Sequence, residues 1–183
     1  MVRRWLHADG RDRDVCSACN AVHYENPKVL VTALVHWRDR ILLCRRAIDP
    51  AKGYWNPPLG FLEAGERLED AAVRELYEEA GLVVPAENMS LYAVANLLHM
   101  NQVHVAFCTE LPTQPVLTPG PESLEVGLFA EAEIPLQQVA FNDWLDEHMR
   151  DFFQRLRSKD FAVRLFTFGS RERGAPPPQT SPD

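Results

Sequence analysis

The chain has 183 residues, of which 46% are hydrophobic and 25% are charged, a composition typical of one globular domain and not of a disordered chain. Its formal net charge of −7 argues against nucleic acid as a partner, so an anionic substrate would need a metal ion. No apolar run has the length of a signal peptide core or a membrane span. We therefore expect a soluble, cytoplasmic protein with no membrane partner.

The first half of the chain predicts a strand pair, a loop and a helix. Residues 29 to 44 form two aliphatic arms around a turn at 38 to 40, which favours two strands. Residues 47 to 60 contain three prolines and two glycines and predict a loop. From Glu66 to Ala80 the period becomes helical, and Gly81 supplies the stop. The residues expected on the apolar face are Ala72, Val73, Leu76, Tyr77 and Ala80, with the glutamates opposite.

The second half predicts three strands, a helix and a tail. Residues 90 to 100 and 102 to 111 favour a hairpin, and residues 123 to 130 favour another strand. Residues 141 to 156 predict a helix with an aromatic stripe that includes His148, which we interpret as a packed core residue. The proline-rich ending predicts a disordered tail over residues 169 to 183.

Three glutamates crowd one turn of the first helix. Glu75 and Glu79 are four residues apart and Glu78 lies beside them, so their like charges repel. A solvated helix face usually alternates acidic and basic residues, and an acidic surface patch is therefore the weaker interpretation. Hard divalent cations bind carboxylate oxygens and commonly bridge to phosphates. The spacing thus favours a metal site.

The context of these glutamates resembles the Nudix box. Residues 60 to 82 read GFLEAGERLEDAAVRELYEEAGL, and every defined position of that motif is filled. The resemblance implies an α/β/α sandwich with a mixed sheet, which binds Mg²⁺ or Mn²⁺ and hydrolyses a pyrophosphate bond by attack of water on phosphorus. It also implies that Glu75, Glu78, Glu79 and the backbone carbonyl of Leu59 are metal ligands. Glu75 is in addition a catalytic candidate, and Glu66 and Arg74 would orient the set.

The resemblance extends over about residues 10 to 155. Over this range the chain is similar to a Nudix subgroup that has an N-terminal zinc-ribbon-like segment. That subgroup is associated with ADP-ribose and FAD hydrolysis. NADH is a weaker expectation because the SQPWPFPxS signature of NADH pyrophosphatases is missing. Dinucleoside polyphosphates and coenzyme A derivatives are alternative substrates. A non-catalytic nucleotide sensor is the alternative from another class, although such proteins usually lose box glutamates, which are all present here.

Two departures from the subgroup qualify the prediction. The chain has one Cys-x-x-Cys pair, Cys16 and Cys19, so a four-cysteine zinc site cannot be built. We therefore favour a zinc-free remnant of the ribbon over residues 1 to 27. A Nudix domain is expected over residues 28 to 168. His7 or His23 would have to complete a zinc site. Leu59 replaces a smaller residue, and its side chain would narrow the metal site.

Residues outside the box complete the expected site. Glu125 is predicted to act as an extra acidic group, with Glu122 as the competing candidate. Arg45 and Arg46 are candidates for binding a substrate phosphate, although a role as surface charges is equally compatible with the sequence. Cys44 and Cys108 are interpreted as small core residues. The expected partner is a small nucleotide substrate, and a homodimer is possible through residues 161 to 169.

Overall fold

The structure is a computed structural model that describes residues 1–141 and 144–169. Residues Met1–Pro27 form one compact unit and residues Lys28–Gly169 form another. The first unit is an antiparallel sheet of β1 (Val2–Leu6), β2 (Arg11–Val15) and β3 (Val22–His23). The predicted tail lies outside the described residues, apart from Gly169.

The described part of the second unit is built on an eight-stranded mixed sheet. Its strands are β4 (Lys28–Trp37), β5 (Arg40–Arg46), β6 (Trp55–Asn56), β7 (Leu59–Phe61), β8 (Ser90–Leu97), β9 (Gln102–Glu110), β10 (Ser123–Ala130) and β11 (Arg164–Phe168). The order is β10-β5-β4-β9-β8-β11, with β6 beside β5 and β7 beside β4. The pairs β4–β9 and β8–β11 are parallel and the other pairs are antiparallel.

Two helices of the described chain, α1 (Leu68–Ala80) and α2 (Leu145–Ser158), cover opposite faces of this sheet. Two neighbouring residues of β5 show that its side chains alternate between the two covered faces. Leu43 belongs to the buried cluster around Phe152 of α2. Leu42 belongs to the buried cluster around Leu76 of α1. Successive side chains of a strand point to opposite faces, so a sheet covered on both sides needs this pattern. The predicted α/β/α sandwich with a mixed sheet is confirmed.

The predicted strands are present, but the predicted loop is partly wrong. The β4–β5 pair, the β8–β9 hairpin and β10 lie where the sequence placed them. Residues 47 to 60, in contrast, contain β6 and the start of β7. β6 pairs with the end of β5, and β7 pairs with Leu30, Val31 and Thr32 of β4. Pairing with β5 and with the more distant β4 therefore overrides the local proline and glycine signals in this segment.

The apolar face of α1 also differs from the prediction. The helix ends at Gly81 with φ of 65°, as expected. Leu76 is fully buried, but Tyr77 is 59% exposed while Glu79 is only 5% exposed. Ala72, Leu76 and Ala80 are fully buried in the core cluster on this face of the sheet, and Glu79 lies about two turns after Ala72, on the same side of the helix. The glutamates therefore do not all face away from the sheet, and the acidic cluster is partly buried.

The second helix agrees with its predicted pattern. Trp144, His148 and Phe152 are buried in or beside the core under α2, although the helix begins at Leu145, after the predicted start. Phe166 and Phe168 of β11 pack against the same cluster. Homodimer formation through residues 161 to 169 stays a prediction. None of the helices in the described ranges is long and apolar enough to span a bilayer.

Candidate active site

The C-terminal end of α1 is capped by the loop that leads into β10. The amides of Thr118 and Gly120 donate to the carbonyls of Ala80 and Glu79, at 3.0 and 3.1 Å. A Cβ atom at Gly120 would lie 1.6 Å from the carbonyl oxygen of Glu78, so only glycine allows this approach. Gly120 was not among the predicted site residues, and its one sequence signal is the Pro-Gly pair at 119 and 120. The loop is thus fixed against the acidic end of α1.

Arg74 organises the carboxylates of the box. Its Nε and Nη2 atoms donate to both oxygens of Glu66, at 2.9 and 3.1 Å. Its Nη1 atom donates to Glu75 at 2.6 Å and to Glu78 at 3.2 Å. Nη2 also donates to the carbonyl of Phe61 at 3.0 Å. The bond to Arg74 lowers the pKa of Glu66 and keeps it ionised. The predicted orienting pair is therefore assembled, and it fixes two of the three glutamates.

Glu75 lies under the chain at Gly60. A Cβ atom at Gly60 would be 2.0 Å from Glu75 Oε1, so the box glycine leaves room for this carboxylate. Burial raises the pKa of Glu75, the hydrogen bond from Arg74 lowers it, and the charges of Glu78 and Glu122 raise it further. Glu75 therefore combines partial burial, a fixed position and a raised pKa, which are properties of a general base.

Glu79 is the most buried of the three box carboxylates. Its Oε1 atom accepts a hydrogen bond from the Leu59 amide at 3.4 Å. Loss of hydration on burial raises its pKa to about 8, and the negative charge of Glu75 adds to this effect. The Leu59 amide and the positive charge of Arg46 act in the opposite direction. Glu79 is thus a carboxylate that the fold holds in a place where its charge is unfavourable.

The donor set fits a hard divalent cation. Glu75, Glu78 and Glu79 lie on one end of α1, and Arg74 contacts two of them. In residues 1–141 and 144–169, no three Cys, His, Asp or Glu side chains are already arranged around a common metal position. However, the buried Glu79 carboxylate carries a raised pKa that a nearby cation would relieve. The carboxylate oxygens and the adjoining Leu59 peptide are ligands of the kind that Mg²⁺ and Mn²⁺ prefer.

The Leu59 side chain does not lie where the sequence placed it. It is buried in the core cluster on the α2 side of the sheet, whereas the glutamates approach from the α1 side. The expected narrowing of the metal site is therefore wrong. Leu59 belongs to strand β7, and in a strand the side chain and the backbone N–H and C=O groups of a residue point in different directions.

The two acidic candidates outside the box are separated by the structure. Glu125 Oε2 lies 3.7 Å from Arg45 Nη1, and both side chains are largely exposed. Glu122, in contrast, is the one whose charge acts on Glu75. The carbonyl of Glu122 also accepts from the amide of Ala47 at 2.8 Å, which ties its backbone to the end of β5. Glu122 is thus the acidic residue of this loop associated with the box, and the catalytic role of Glu125 stays a prediction.

Arg45 and Arg46 end β5 and are held by the loop that follows. Arg45 Nε donates to the carbonyl of Gly53 at 3.0 Å, and Arg46 Nε donates to the carbonyl of Pro50 at 2.7 Å. Arg46 also lies over the ring of Phe141, with 5.5 Å between its Cζ atom and the ring centroid. The sequence predicts Phe141 only as part of the aromatic stripe of the core. The positive charge of Arg46 lowers the pKa of Glu79, so Arg46 lies close to that carboxylate.

Other reactive side chains are buried away from this chemistry. Cys44 and Cys108 are core residues, as predicted, and burial raises the pKa of Cys108 to about 12. His104 is buried, bonds to Thr32 Oγ1 at 2.6 Å, and has its pKa lowered to about 3 by burial. These groups stay uncharged at neutral pH, so none of them is suited to serve as a nucleophile or a proton carrier.

The Cys-x-x-Cys pair of the predicted zinc-ribbon-like remnant lies in the turn between β2 and β3. Cys16 is half-buried, Cys19 is exposed, and both thiols are free. The amide of Asn20 donates to the carbonyl of Cys16 at 3.0 Å and closes the turn. Backbone hydrogen bonds from Cys19 and Ala18 lower the pKa of the Cys16 thiol. The preference for a zinc-free segment over zinc binding at Cys16 and Cys19 stays a prediction.

Comparison with known proteins agrees with this geometry. Residues 26–156 match the family model of the NUDIX domain. An ADP-ribose pyrophosphatase of Methanocaldococcus jannaschii is 39% identical over 66 residues, covering 36% of this chain and 39% of the relative. Phosphatase NudJ of Escherichia coli is 45% identical over 56 residues, covering 31% of this chain and 36% of the relative. The matches thus span well under half the length of both relatives.

A solved structure extends the similarity over most of the chain. The crystal structure of a NUDIX hydrolase from Nitrosomonas europaea is 36% identical, covers 91% of this chain and 93% of its own, and superposes with a TM-score of 0.80. The family model, this structural similarity and the assembled box lead to the same conclusion. The chain belongs to the NUDIX family, with its NUDIX domain at residues 26–156.

Proposed function

We propose that the protein hydrolyses the pyrophosphate bond of a nucleoside diphosphate linked to a second moiety, and that it does so with a divalent metal ion. The observation that carries this proposal is the partly buried carboxylate cluster at the end of α1, with a pKa of about 8 at Glu79. Such a cluster is unfavourable for stability on its own. A bound cation would neutralise the repelling carboxylates and could bridge them to the phosphates of a substrate.

Glu75, Glu78, Glu79 and the carbonyl of Leu59 are the proposed ligands of Mg²⁺ or Mn²⁺. When bound, the metal would neutralise phosphate oxygens and lower the pKa of a water molecule. The protein's own contribution is to hold the ligands in place. Arg74 keeps Glu75 and Glu78 together through hydrogen bonds of 2.6 and 3.2 Å, and the Leu59 amide orients Glu79.

The proposed reaction has one displacement at phosphorus. A water oxygen forms the new bond to one phosphorus atom while the bridging oxygen leaves with the other phosphate. The proton of the water passes to a carboxylate. Glu75 is suited to accept it, because burial raises its pKa toward neutrality, and Glu122 is the neighbouring alternative. No covalent intermediate with the protein is formed.

ADP-ribose and FAD are the proposed substrates, with NADH cleaved more slowly. The relative named ADP-ribose pyrophosphatase supports the first of these, within the 66 residues that it matches. The resemblance to the ADP-ribose and FAD subgroup supports the second, and the missing NADH signature supports the ranking. Products would be AMP with ribose 5-phosphate, or AMP with FMN. Contacts to the two flanking moieties must decide specificity, since every candidate presents the same diphosphate to the box.

A substrate panel tests the proposal. ADP-ribose, FAD, NADH, a dinucleoside polyphosphate and a coenzyme A derivative are each incubated with Mg²⁺, with Mn²⁺ and with EDTA, and the products are identified. We expect cleavage between the phosphates of ADP-ribose and FAD, and none in EDTA. Glu75→Gln and Glu79→Gln should abolish it, whereas Glu147→Gln, on the exposed side of α2, is the matched control. Turnover that survives EDTA or either box variant would contradict the metal site.

A further inference from the structure

The Arg46 side chain leaves the end of β5 on the side of the sheet that faces α1, and its guanidinium lies at the strand end over Phe141, which packs against the cluster on the α2 side. Cys44, two residues earlier, belongs to the core cluster of α1, and side chains two apart on a strand share a face. The effect of its charge on Glu79 agrees with this placement. Arg46 is therefore the cation at this strand end that adjoins the buried part of the carboxylate cluster.

Arg46 differs from the other arginines of β5 in having no carboxylate partner in the described part of the chain. Arg40 pairs with Glu133 at 2.6 Å, and Arg45 lies 3.7 Å from Glu125. The contacts of Arg46 are instead a carbonyl and an aromatic ring. Its Nε is occupied by the Pro50 carbonyl, which leaves the two terminal NH₂ groups to bind an anion. A guanidinium in that state is suited to a phosphate.

The residue beneath Arg46 is tied to the start of α2 and packs on a buried ring. Phe141 has a φ of 54°, a left-handed conformation that is rare for a bulky residue. Its carbonyl accepts from the amides of Trp144 and Leu145 at 3.2 and 3.0 Å, so its backbone is tied to the start of α2. Its ring is nearly parallel to that of the buried Trp144, at 17° and 6.4 Å between centroids. Unfavourable backbone conformations of this kind persist where the surroundings enforce them, and they cluster at functional sites.

We propose that Phe141 is a positioning residue, which, with the Pro50 carbonyl, holds the Arg46 guanidinium ready to bind a substrate phosphate beside the box carboxylates. The inference rests on the proposed function, because it assumes a phosphorylated substrate at this site. A guanidinium fixed before binding loses less rotamer freedom when the phosphate arrives. Arg46 would thereby offset the repulsion between the phosphate and the glutamates.

The test measures binding without turnover. AMP has no pyrophosphate bond to cleave, so its affinity is measured by calorimetry in Mg²⁺ and again in EDTA. Adenosine, which lacks the phosphate, is titrated in parallel. We expect wild-type protein to bind AMP more tightly than adenosine, and Arg46→Gln to weaken AMP at least about tenfold. Phe141→Leu should weaken AMP about two- to fivefold and leave adenosine unchanged, while Phe141→Tyr keeps the wild-type affinity.

The control is a second arginine stacked on an aromatic ring. Arg38, in the turn between β4 and β5, has its Cζ atom 4.5 Å from the ring centroid of Trp37, so Arg38→Gln removes an equal charge and an equal type of contact. It should leave AMP affinity unchanged. Equal affinity of wild-type protein for AMP and adenosine in both buffers would overturn the inference. So would a Phe141→Leu variant that binds AMP normally, or that weakens AMP and adenosine alike.

Kinetics separate this inference from the proposed function. With ADP-ribose as substrate, Phe141→Leu should raise KM and leave kcat within about twofold, with an unchanged melting temperature. If wild-type protein cleaves ADP-ribose but the variant has an unchanged KM, the role of Phe141 is wrong and the proposed function stands. If wild-type protein cleaves no member of the panel, the proposed function is wrong, while the AMP titrations still decide whether Phe141 positions Arg46.

Discussion

Replacement of Glu79 by glutamine should stabilise the metal-free protein. Burial raises the pKa of Glu79 from 4.5 to about 8 in the folded state. A carboxyl group whose pKa is higher in the folded state binds its proton more tightly there. Its contribution to stability is therefore complete below pH 4.5 and is lost as the pH rises through about 8. Glutamine is uncharged at every pH and retains an oxygen for the Leu59 amide.

The magnitude follows from the two pKa values. At pH 7 the folded protein must either keep the proton or bury the charge, which costs on the order of 3 kcal/mol relative to the unfolded chain. Glu79→Gln should remove most of this cost. The corresponding rise in melting temperature is about 6 to 12 °C for a chain of this length. At pH 4 the carboxyl is protonated in both states and the two proteins should be equally stable.

Urea unfolding in EDTA at pH 4, 5, 6, 7 and 8 measures this difference directly. Glu78→Gln, whose side chain is 53% exposed, is the matched control and should follow the wild-type protein closely. Added Mg²⁺ should stabilise the wild-type protein and not Glu79→Gln. If the stability difference between wild-type protein and Glu79→Gln is the same at pH 4 and pH 7, the pKa of Glu79 is not raised in the folded protein and the reasoning is refuted.

Three further predictions concern positions whose neighbours are known from the structure. Gly60→Ala would place a Cβ 2.0 Å from Glu75 Oε1, at the movable end of a side chain, so activity should fall about 100-fold while urea unfolding changes little. Gly120→Ala would place a Cβ 1.6 Å from a backbone oxygen of α1 and should cost about 2 to 4 kcal/mol in the same urea assay; a neutral effect would contradict the capping contact. His104 has its pKa lowered to about 3, so its contribution to stability is complete above pH 6.5 and falls as the pH drops toward 3. Burial of His104 should lower the free energy of unfolding by about 2 kcal/mol at pH 5 relative to pH 7. His104→Gln should remove that part of the pH dependence in urea unfolding.

Local patterns in the sequence were sufficient for the two long helices, five strands of the large sheet and the motif, but not for β1, β2, β3, β6, β7 and β11. The helical period from Glu66 and the stop at Gly81 predicted α1, because hydrophobic spacing and a left-handed glycine act within a few residues. Alternation and aliphatic content predicted β4, β5, β8, β9 and β10 for the same reason. The spacing of Glu75, Glu78 and Glu79 indicated a metal site, since charges on one helical turn must repel.

The tertiary structure decided which of these groups are buried and what lies beside them. Glu79 is buried because α1 packs on the sheet through Ala72, Leu76 and Ala80, and the sequence of the helix alone does not show that this face includes Glu79. The pairing of β7 with β4, the approach of Gly120 to α1, and the contact of Arg46 with Phe141 join segments that are distant in the chain. Such contacts depend on how the sheet and helices pack together, and no local sequence signal specifies them.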